Sequence, residues 1–328
     1  MSKISVIIPV YNAEAYLSAC LKSLTEQTFD DYEIIIVNDG STDNSQSVID
    51  DFAKRSDRIK SFILKNGGVS KARNFGMSVA DGEYIVFVDA DDDVSQDFLK
   101  KLYENGEDGY LTLCGFNKIY LNGKAEYREI WRLNENGGIV KTCGFYEVYA
   151  KWLFNSPCNK LYVKSIIDKY GITFKKGLNI GEDFIFNAEY ILKSGIKSFT
   201  VVNEPLYNYY VRNVESNSTR FDETVCEKVL EHRDYVLECM SGFAVTDEER
   251  KKIDSSFLLQ INEFLYIKLN AKQMSTALKN EKLITFLTQT ADDEYKALIV
   301  RGEYKKARRK YRIRRKIANV KAKIRGVR

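Results

Sequence analysis

The sequence predicts an α/β fold in which helices cover a mainly parallel sheet. Short apolar runs rich in β-branched residues recur through the first hundred residues, helical patterns separate them, and polar or acidic segments follow several runs directly. Strands and helices that alternate at this spacing form mainly parallel sheets. Because open sheets of this kind bind ligands just past the carboxyl ends of their strands, the polar segments mark the expected site.

The elements of the first hundred residues are predicted in chain order. Strands are predicted at 4–10, 33–37, 61–64 and 84–88, and helices at 13–25, 47–52 and 70–80. The first helix is supported by apolar residues that recur with helical spacing, at Tyr16, Leu17, Cys20, Leu21 and Leu24. Good N-cap residues in the segment 38–43 predict the start of the second helix.

The pattern changes beyond residue 110. Strands are predicted at 110–115 and 127–133, and helices at 145–154 and 183–193. From about 222 to 300 the apolar spacing is helical, with positions such as Phe257, Leu258 and Ile261. The predicted α/β fold therefore continues into a C-terminal helical region.

Composition excludes several classes of protein. The chain has 328 residues, of which 44% are hydrophobic and 29% charged, as in ordinary soluble proteins. No apolar run is long enough for a transmembrane helix, and the N-terminal run is too short for a signal peptide, so we expect a cytoplasmic protein. Six cysteines without CxxC spacing argue against zinc and disulfides. The single histidine, His232, argues against a multi-histidine metal site or a Ser-His-Asp triad.

An acidic cluster follows the strand predicted at 84–88. Asp89, Asp91, Asp92 and Asp93 stand almost side by side where a ligand is expected. Crowded carboxylates repel one another, and a hard cation such as Mg²⁺ or Mn²⁺ would relieve that repulsion. Since Mg²⁺ is usually shared with substrate phosphates, the cluster points to a nucleotide or nucleotide-sugar diphosphate. An acidic surface turn with a helix-capping Asp is the alternative.

Three further segments lie near predicted strand ends. Tyr11 follows the first strand, where its ring could stack on a planar base, and Asp39 ends the second, where its carboxylate could accept a base N–H. In the segment 66–74, glycines open a helix and Lys71 and Arg73 supply cations for a phosphate or a base carbonyl. A capping turn, an Asx turn and a solvated helix are the respective alternatives.

Together these segments resemble a known family. Ser-Val-Ile-Ile-Pro-Val-Tyr-Asn, Ile-Ile-Val-Asn-Asp-Gly-Ser-Thr-Asp, Asn-Gly-Gly-Val-Ser-Lys-Ala-Arg-Asn and Gly-Glu-Tyr-Ile-Val-Phe-Val-Asp-Ala-Asp-Asp occur in this order within residues 4–93. The series is similar to that of the family 2 inverting glycosyltransferases of GT-A fold, of the bacterial surface-polysaccharide type. The likeness continues more loosely through 159–162, 181–183 and 207–218.

The resemblance implies a role for each matching residue. The donor side would be formed by the nucleotide-sugar-binding residues Pro9, Tyr11, Asp39, Asn66, Arg73 and Asp89. Of these, Pro9, Tyr11 and Asp39 would bind the base and ribose, Arg73 would also reach the base, and Asp89 would face the ribose. Asp91 would hold the metal that bridges the diphosphate, with Asp92 as a second candidate ligand.

The resemblance also implies a catalytic base. Asp183 would take this role, with Glu182 as second choice. An inverting transfer is a single in-line displacement that needs a carboxylate to accept the acceptor's proton and a cation, Mn²⁺ or Mg²⁺, on the leaving diphosphate. An acidic first turn that complements the helix dipole is the structural alternative for this pair. Arg212 lies near the family's late segment and could reach the diphosphate; a plain surface arginine is the alternative.

The C-terminal tail is strongly basic. Residues 301–328 hold 14 Lys/Arg against one acid, Glu303, a net charge of +13, whereas the rest of the chain carries −9. An apolar stripe with helical spacing runs through the tail at Ile313, Ile317, Val320, Ile324 and Val327. A basic amphipathic helix of this kind favours an anionic membrane surface. Docking on the body or on a partner helix, and nucleic-acid binding, are the alternatives.

We therefore predict a glycosyltransferase that moves a sugar from a nucleotide-diphosphate donor, a UDP-sugar, to a lipid-linked oligosaccharide or another surface-glycan acceptor in capsule or exopolysaccharide synthesis. The GT-A domain would span 1–220, with nucleotide-sugar binding in 1–110 and the acceptor side in 111–220. A helical subdomain at 221–300 and the tail helix at 301–328 would follow. The expected location is the cytoplasm, peripheral on the inner face of the plasma membrane, with no nucleic-acid partner. A nucleotidyltransferase and a non-catalytic nucleotide-sugar-binding module are the alternatives.

Overall fold

The computed structural model of the chain describes residues 2–106, 111–122, 125–175, 181–212 and 222–324. Contacts between residues divide it into two compact units, which are described separately. The first unit comprises Met1–Leu178, Glu182–Val214 and Glu238–Ala244. The second comprises Asn179–Gly181, Glu215–Leu237 and Val245–Arg328. The domain boundaries expected from the sequence remain a prediction.

The N-terminal half of the first unit is the predicted parallel sheet. Its strands are β1 (Ile4–Val10), β2 (Tyr32–Asn38), β3 (Ile59–Ile63) and β4 (Tyr84–Phe87), in the order β3-β2-β1-β4. Every residue of β1 and β2 is buried, as continuous β-branched runs require in a sheet covered on both faces. The connecting helices are α1 (Leu17–Thr25), α2 (Ser45–Ala53) and α3 (Val69–Ser78). The four strands and three helices are confirmed, although α1 begins four residues later than predicted.

The strand order positions the site. The chain proceeds outward from β1 to β2 and β3, and then β4 returns to pair with the other edge of β1. Such a reversal opens a crevice at the carboxyl ends of the two strands that flank it. The segments that follow β1 and β4 therefore border one crevice, and they carry Tyr11 and the acidic cluster.

The second half of the sheet is mostly antiparallel. After β4 come β9 (Lys160–Val163), β6 (Leu111–Asn122), β10 (Phe199–Val211) and β5 (Asp93–Val94), while β7 (Ala125–Trp131) pairs with β6 and β8 (Ile139–Cys143) with β10. Among these pairs only β6 and β10 run parallel. Because β10 pairs with β5 at Tyr207↔Val94 and Asn208↔Asp93, it lies directly beside the acidic cluster.

Among its described residues, the first unit also contains the helices α4 (Phe98–Glu104), α5 (Phe145–Tyr149), α6 (Lys164–Tyr170) and α7 (Glu182–Ser194). Helix α5 is half as long as predicted, and α7 matches its prediction. Behind the site, the ring of Phe87 meets the rings of Tyr162, Phe174 and Phe186 edge-on at 5.2–5.8 Å between centroids. Aromatic contacts of this geometry stabilise a core beyond the area that they bury.

The second unit is helical, as predicted. Its helices are α8 (Val225–Ser241, whose last turn falls in the first unit), α9 (Asp247–Glu263), α10 (Ala271–Ala277), α11 (Glu281–Thr290), α12 (Asp293–Val300) and α13 (Tyr304–Ile324). A π-helical turn, Phe264–Lys268, continues α9. His232 packs edge-on against Phe257, and burial lowers the pKa of the imidazole to about 4. Within the described residues, no helix is both long and apolar enough to cross a bilayer.

Candidate active site

The acidic cluster is held by the aromatic strand β10. The amide of Asp89 donates to the hydroxyl oxygen of Tyr207 at 3.1 Å, and that hydroxyl donates to Asp92 Oδ2 at 2.9 Å. The amide of Tyr210 donates to Asp92 Oδ1 at 2.9 Å, and Asp92 is only 3% exposed. Burial, together with the charges of Asp91 and Asp89, raises the pKa of Asp92 well above its usual range. Asp92 thus anchors the loop.

Asp93 is a second anchor. Its Oδ1 accepts from Asn208 Nδ2 at 2.5 Å, and its Oδ2 accepts from the hydroxyl of Tyr210 at 2.8 Å. A simple helix cap would bond to backbone amides of its own turn. The side chain of Asp93 instead fastens the acidic cluster to β10, 115 residues away along the chain.

Of the adjacent carboxylates Asp91 and Asp92, Asp91 is the one that is accessible to a ligand. Its side chain is 50% exposed, and burial of the group, together with the charge of Asp89, raises its pKa. Within the described residues, no group of three or more His, Cys, Asp or Glu is arranged to hold a metal. The donor set fits a hard cation that takes one or two carboxylates and completes its shell with substrate oxygens. Because both oxygens of Asp92 are engaged by β10, the geometry favours Asp91 over Asp92 as the ligand.

Arg212 lies beside these acids at the end of β10. Its Nη1 is 3.3 Å from Asp91 Oδ2 and 3.9 Å from Asp92 Oδ1. Its guanidinium also covers the rings of Tyr16 and Tyr210, at 4.1 and 4.9 Å from their centroids. The guanidinium therefore neutralises part of the acidic charge at the position where a metal diphosphate is expected. Residues 213–221, which follow it, lie outside the described residues.

Arg73 joins the two sides of the site. From α3, its Nη1 donates to Asp183 Oδ1 at 2.6 Å and its Nη2 to Asp89 Oδ1 at 2.8 Å. The guanidinium is 3% exposed and lies 5.0 Å from the ring centroid of Phe174. The contact of Arg73 with the nucleobase, expected from the resemblance, stays a prediction, since in this structure both terminal nitrogens are engaged by carboxylates.

The candidate base opens helix α7. Glu182 and Asp183 form its acidic first turn, as predicted. Burial raises the pKa of Asp183, while the nearby Arg73 guanidinium opposes that rise. Burial and the charge of Asp183 raise the pKa of Glu182. Two adjacent carboxylates with raised pKa values in a crevice are candidates for proton transfer.

Two residues expected to contact the nucleobase, Tyr11 and Pro9, differ in exposure. The ring of Tyr11 is 54% exposed at the rim of the crevice. Asn12, in the left-handed region at φ 49°, accepts from the amide of Thr42 at 2.8 Å and holds that turn. Pro9 is buried at the end of β1, beyond the last residue that pairs with β4. Its missing amide therefore leaves the β1–β4 ladder intact.

Asp39 supports the glycine loop that precedes α3. Its carboxylate accepts from the amides of Gly67, at 2.9 and 3.1 Å, and of Gly68, at 2.6 Å. Gly68 has φ 89°, a left-handed conformation that favours glycine. Asn66 is exposed at the edge of this loop. In this structure Asp39 orders the loop, and its contact with a base N–H remains a prediction.

A buried polar network lies behind α7. The ammonium of Lys160 is fully buried and donates to Leu153 O at 2.7 Å, Ser156 O at 2.6 Å and Asn159 Oδ1 at 2.7 Å. Asn187, one turn after Asp183 on α7, donates to Phe154 O at 2.6 Å and to Ser156 O at 3.2 Å. These bonds tie the segment 153–156 to the helix that carries the candidate base.

Sequence reasoning missed three contributors: Tyr207, Lys160 and Asn187. Tyr207 and Lys160 lie in the looser stretches of resemblance, 207–218 and 159–162, which carried no chemical signal of their own. Asn187 is a polar residue on the apolar side of α7. Such a residue signals a buried hydrogen-bond partner, but the partners of Asn187 are 25 or more residues away along the chain.

The fold is a mainly parallel α/β sheet with an acidic crevice at its carboxyl edge. The family model for glycosyl transferase family 2 matches residues 5–171, about half of the chain. The chain belongs to this family and is a glycosyltransferase of GT-A fold. Membership implies a nucleotide-sugar donor and a glycan acceptor. Family membership favours a glycosyltransferase over a nucleotidyltransferase or a non-catalytic binding module.

The chain is similar to several bacterial glycosyltransferases. The chain is 31% identical over 268 residues to the putative glycosyltransferase EpsH of Bacillus subtilis, covering 78% of this chain and 74% of EpsH. It is 30% identical over 238 residues to the glycosyltransferase GlyG of Streptococcus pneumoniae, covering 70% and 77%. It is also 30% identical over 224 residues to the poly(ribitol-phosphate) β-N-acetylglucosaminyltransferase TarP of Staphylococcus aureus, covering 66% and 65%.

A solved structure shares the fold. Residues 1–349 of S. aureus TarS, in complex with UDP-GlcNAc, superpose with a TM-score of 0.69 at 23% identity, covering 94% of this chain and 91% of that one. The likeness extends beyond the family match, which ends at residue 171. The C-terminal helices are therefore part of the shared architecture.

Proposed function

We propose that this glycosyltransferase transfers a sugar from a UDP-sugar, with inversion, to a hydroxyl of a lipid-linked oligosaccharide or another surface-glycan acceptor. The observation that carries the proposal is the Arg73 bridge, which holds a donor-side acid, Asp89, and the candidate base, Asp183, on one guanidinium. An inverting displacement needs its base on the side of the anomeric carbon opposite the leaving group. The Arg73 bridge brings a donor-side carboxylate and a candidate base together at one crevice.

In the proposed mechanism, Tyr11 stacks on the base while Asp39, Asn66 and Pro9 shape the loops around the nucleoside. Asp89 would face the ribose, and Asp91 would hold Mn²⁺ or Mg²⁺. A cation held there would supply Lewis-acid stabilisation of the diphosphate leaving group.

Asp183 accepts the proton of the acceptor hydroxyl while that oxygen bonds to the anomeric carbon and the bond to UDP breaks. Its Oδ1 accepts from Arg73, so we assign the proton to Oδ2. Glu182 is the second candidate for this role.

The donor and metal assignments are tested by nucleotide release from a panel of nucleotide sugars, beginning with UDP-GlcNAc, the ligand of the similar TarS structure. We expect slow hydrolysis of a UDP-sugar that requires Mn²⁺ or Mg²⁺ and is lost in Asp91→Ala. Asp51→Ala, which removes an exposed acid on α2, is the matched control and should retain activity. Metal-independent release by the wild type would sink the metal assignment.

The base assignment is tested with Asp183→Asn and Glu182→Gln. We expect Asp183→Asn to lower kcat for transfer by about 10²–10⁴-fold, the usual contribution of general base catalysis, with little change in UDP binding. Glu182→Gln should retain most of the activity. The reverse pattern would assign the base to Glu182, and full activity of both variants would refute a carboxylate base in this turn.

We also propose that the enzyme works at the inner face of the plasma membrane. The basic tail supports this location because the cytoplasmic leaflet carries a negative surface potential. Of the predicted apolar stripe, Ile313 and Ile317 are about half exposed on α13. Val327 and the side chains of Val320 and Ile324 lie outside the described residues.

A further inference from the structure

One face of α13 packs against other elements of the second unit. Ala307 is fully buried, and Arg308 donates to the carbonyls of Tyr266 at 3.1 Å and Leu269 at 2.7 Å. Arg314 forms ion pairs with Asp292 and Glu294, both at 2.9 Å. The carbonyl bonds orient the helix because they lie in a part-buried interface. The exposed ion pairs add little stability of their own.

The neighbouring face of α13 lines a groove with α10. The groove has a volume of about 670 Å³ and is bordered by Met274 on one side and Ile313 on the other. Its basic residues are Lys305, Lys306, Arg308, Arg309, Arg312 and Lys316. Its one acid is Glu303. An open cavity with this charge imbalance would concentrate anions.

Three of these cations have no role in holding the structure. Lys306 pairs with Glu303 at 2.9 Å, and Arg308 and Arg312 donate to backbone carbonyls. By contrast, Lys305, Arg309 and Lys316 are exposed, and within the described part of the chain they form no ion pair. At spacings of four and seven residues they project from one side of the helix. Unpaired cations crowded on one side repel each other and favour an anionic ligand.

The groove also presents apolar surface. Ile313 lies between these cations, and Ile317 follows one turn later, with 49% and 50% of their surfaces exposed. Phosphate or nucleic acid alone would gain nothing from two exposed isoleucines. A bilayer surface offers anionic headgroups directly above acyl chains, which matches cations flanking an apolar pair.

We propose that the groove between α10 and α13 is a binding site for the headgroup phosphate of an anionic phospholipid. Lys305, Arg309 and Lys316 contact the phosphate, and Ile313 and Ile317 enter the boundary of the acyl chains. The proposal rests on the membrane association proposed above and deepens it by naming the lipid class and the residues. Because hydrogen bonds to backbone carbonyls orient α13, the groove is already formed in the free protein. The helix backbone therefore loses little conformational entropy on binding.

The test is sedimentation of the full chain with vesicles. Vesicles of phosphatidylcholine with phosphatidylglycerol should bind the wild type, and vesicles of phosphatidylcholine alone should not. The triple variant Lys305→Glu, Arg309→Glu, Lys316→Glu should lower the partition coefficient about 100-fold or more, since each basic residue near an anionic surface contributes about 1 kcal/mol. The matched control Lys100→Glu, Lys151→Glu, Lys251→Glu changes the total charge equally at exposed positions elsewhere.

Equal losses in the two triple variants would overturn the site, because binding would then follow net charge alone. Unchanged binding in the groove variant would also overturn it. For the apolar pair, Ile313→Asn with Ile317→Asn should weaken vesicle binding, whereas Leu259→Asn, at a residue 63% exposed on α9, should not. Circular dichroism and thermal melts of each variant confirm that it is folded.

Two further outcomes separate this proposal from its rivals. Binding of duplex DNA or RNA that the groove variant loses, with no binding to anionic vesicles, would assign the groove to nucleic acid and overturn the lipid. Metal-dependent hydrolysis of the UDP-sugar is measured in the same samples. A wild type that hydrolyses the UDP-sugar but does not bind anionic vesicles would overturn this inference and the membrane location on which it rests. A wild type that binds the vesicles without hydrolysing any UDP-sugar would overturn only the catalytic proposal.

Discussion

At the scale of single residues, Arg73 connects the donor side of the site to the candidate base. One planar guanidinium donates to Asp89 and Asp183 at 2.8 and 2.6 Å, in the fork geometry that Lys cannot reproduce. Desolvation of Asp183 favours its protonated form, and the cation favours the ionised form that a base needs. The charge of Arg73 therefore keeps Asp183 available at a lower pH than burial alone would allow.

We predict that Arg73→Met raises the pH at which activity is lost on acidification. Asp183 must be deprotonated to act as base, and its pKa is already raised by burial. Removing the neighbouring guanidinium should raise the pKa of Asp183 further, because the ionised carboxylate loses its opposite charge. The acid limb of kcat/KM against pH would then shift upward. Arg73→Lys should shift it less, and an unchanged limb in Arg73→Met would exclude electrostatic support of the base.

Tyr207 joins two residues of the acidic cluster. Its hydroxyl links Asp89 N and Asp92 Oδ2. Tyr207→Phe should lower the free energy of unfolding by about 1–3 kcal/mol, since it leaves buried polar groups unpaired. It should also raise the Mn²⁺ concentration needed for hydrolysis, because Asp91 lies in the same loop.

Denaturant unfolding and metal titration measure these two effects. Tyr103→Phe is the matched control, because the Tyr103 ring packs against Phe29 and Tyr84. The control should leave the metal requirement unchanged. An equal response of both variants would remove Tyr207 from the account of the metal site.

At the scale of elements, the buried network explains how α7 is placed. Lys160 and Asn187 both donate to the carbonyl of Ser156, so β9 and α7 are fastened to the same short segment. The three acceptors of the Lys160 ammonium carry no full charge. Burial consequently lowers the pKa of Lys160 to about 7.

We predict a pH-dependent stability that is specific to Lys160. Its pKa is about 7 in the folded chain and near 10.5 when unfolded, so between these values the unfolded state binds more protons. Stability should therefore rise with pH from about 7 to 10, by on the order of 1 kcal/mol per pH unit at most. Lys160→Met should lack this rise, which denaturant unfolding at pH 7 and 9 would measure. Parallel pH dependences of the two proteins would contradict the prediction.

At the scale of the whole molecule, charge is divided along the chain. The tail carries +13 and the remainder −9, and catalytic acids and groove cations belong to different compact units. The two units therefore offer separate sites that can be altered independently. Donor chemistry is assigned to the first, and membrane contact to the second.

We predict that UDP with Mn²⁺ raises the melting temperature through the first unit alone. A ligand at 100 times its Kd stabilises the folded state by about 2.7 kcal/mol. Differential scanning fluorimetry should show this shift in the wild type and in the Lys305→Glu, Arg309→Glu, Lys316→Glu variant, but not in Asp91→Ala. Loss of the shift in the groove variant would contradict independent sites.

Much of the fold could be predicted because its signals are local. The strands β1 to β4 are continuous apolar runs, and α1 to α3 have helical apolar spacing. Strands and helices alike therefore follow from residues only a few positions apart in the sequence. Strands β8, β9 and β10 were missed because their stability comes from pairing with distant partners, as between Phe199 and Leu111. The tail was predicted as a helix. The side of α13 that docks depends on the carbonyls of Tyr266, in the π-helical turn, and of Leu269, just after it, some 40 residues earlier.

The sequence by itself determined the α/β class, the order of the motifs and the residue types gathered at the carboxyl edge of the sheet. Only the tertiary structure decided what each of these residues contacts. Arg73 donates to Asp183, 110 residues away along the chain, and Tyr207 donates to Asp92, 115 residues away. The carboxylate of Asp91 is therefore the one that is more accessible to a ligand. The physical reason is that periodicity and turn chemistry act within a few residues, whereas ion pairs and buried hydrogen bonds are selected by the packing of the whole unit.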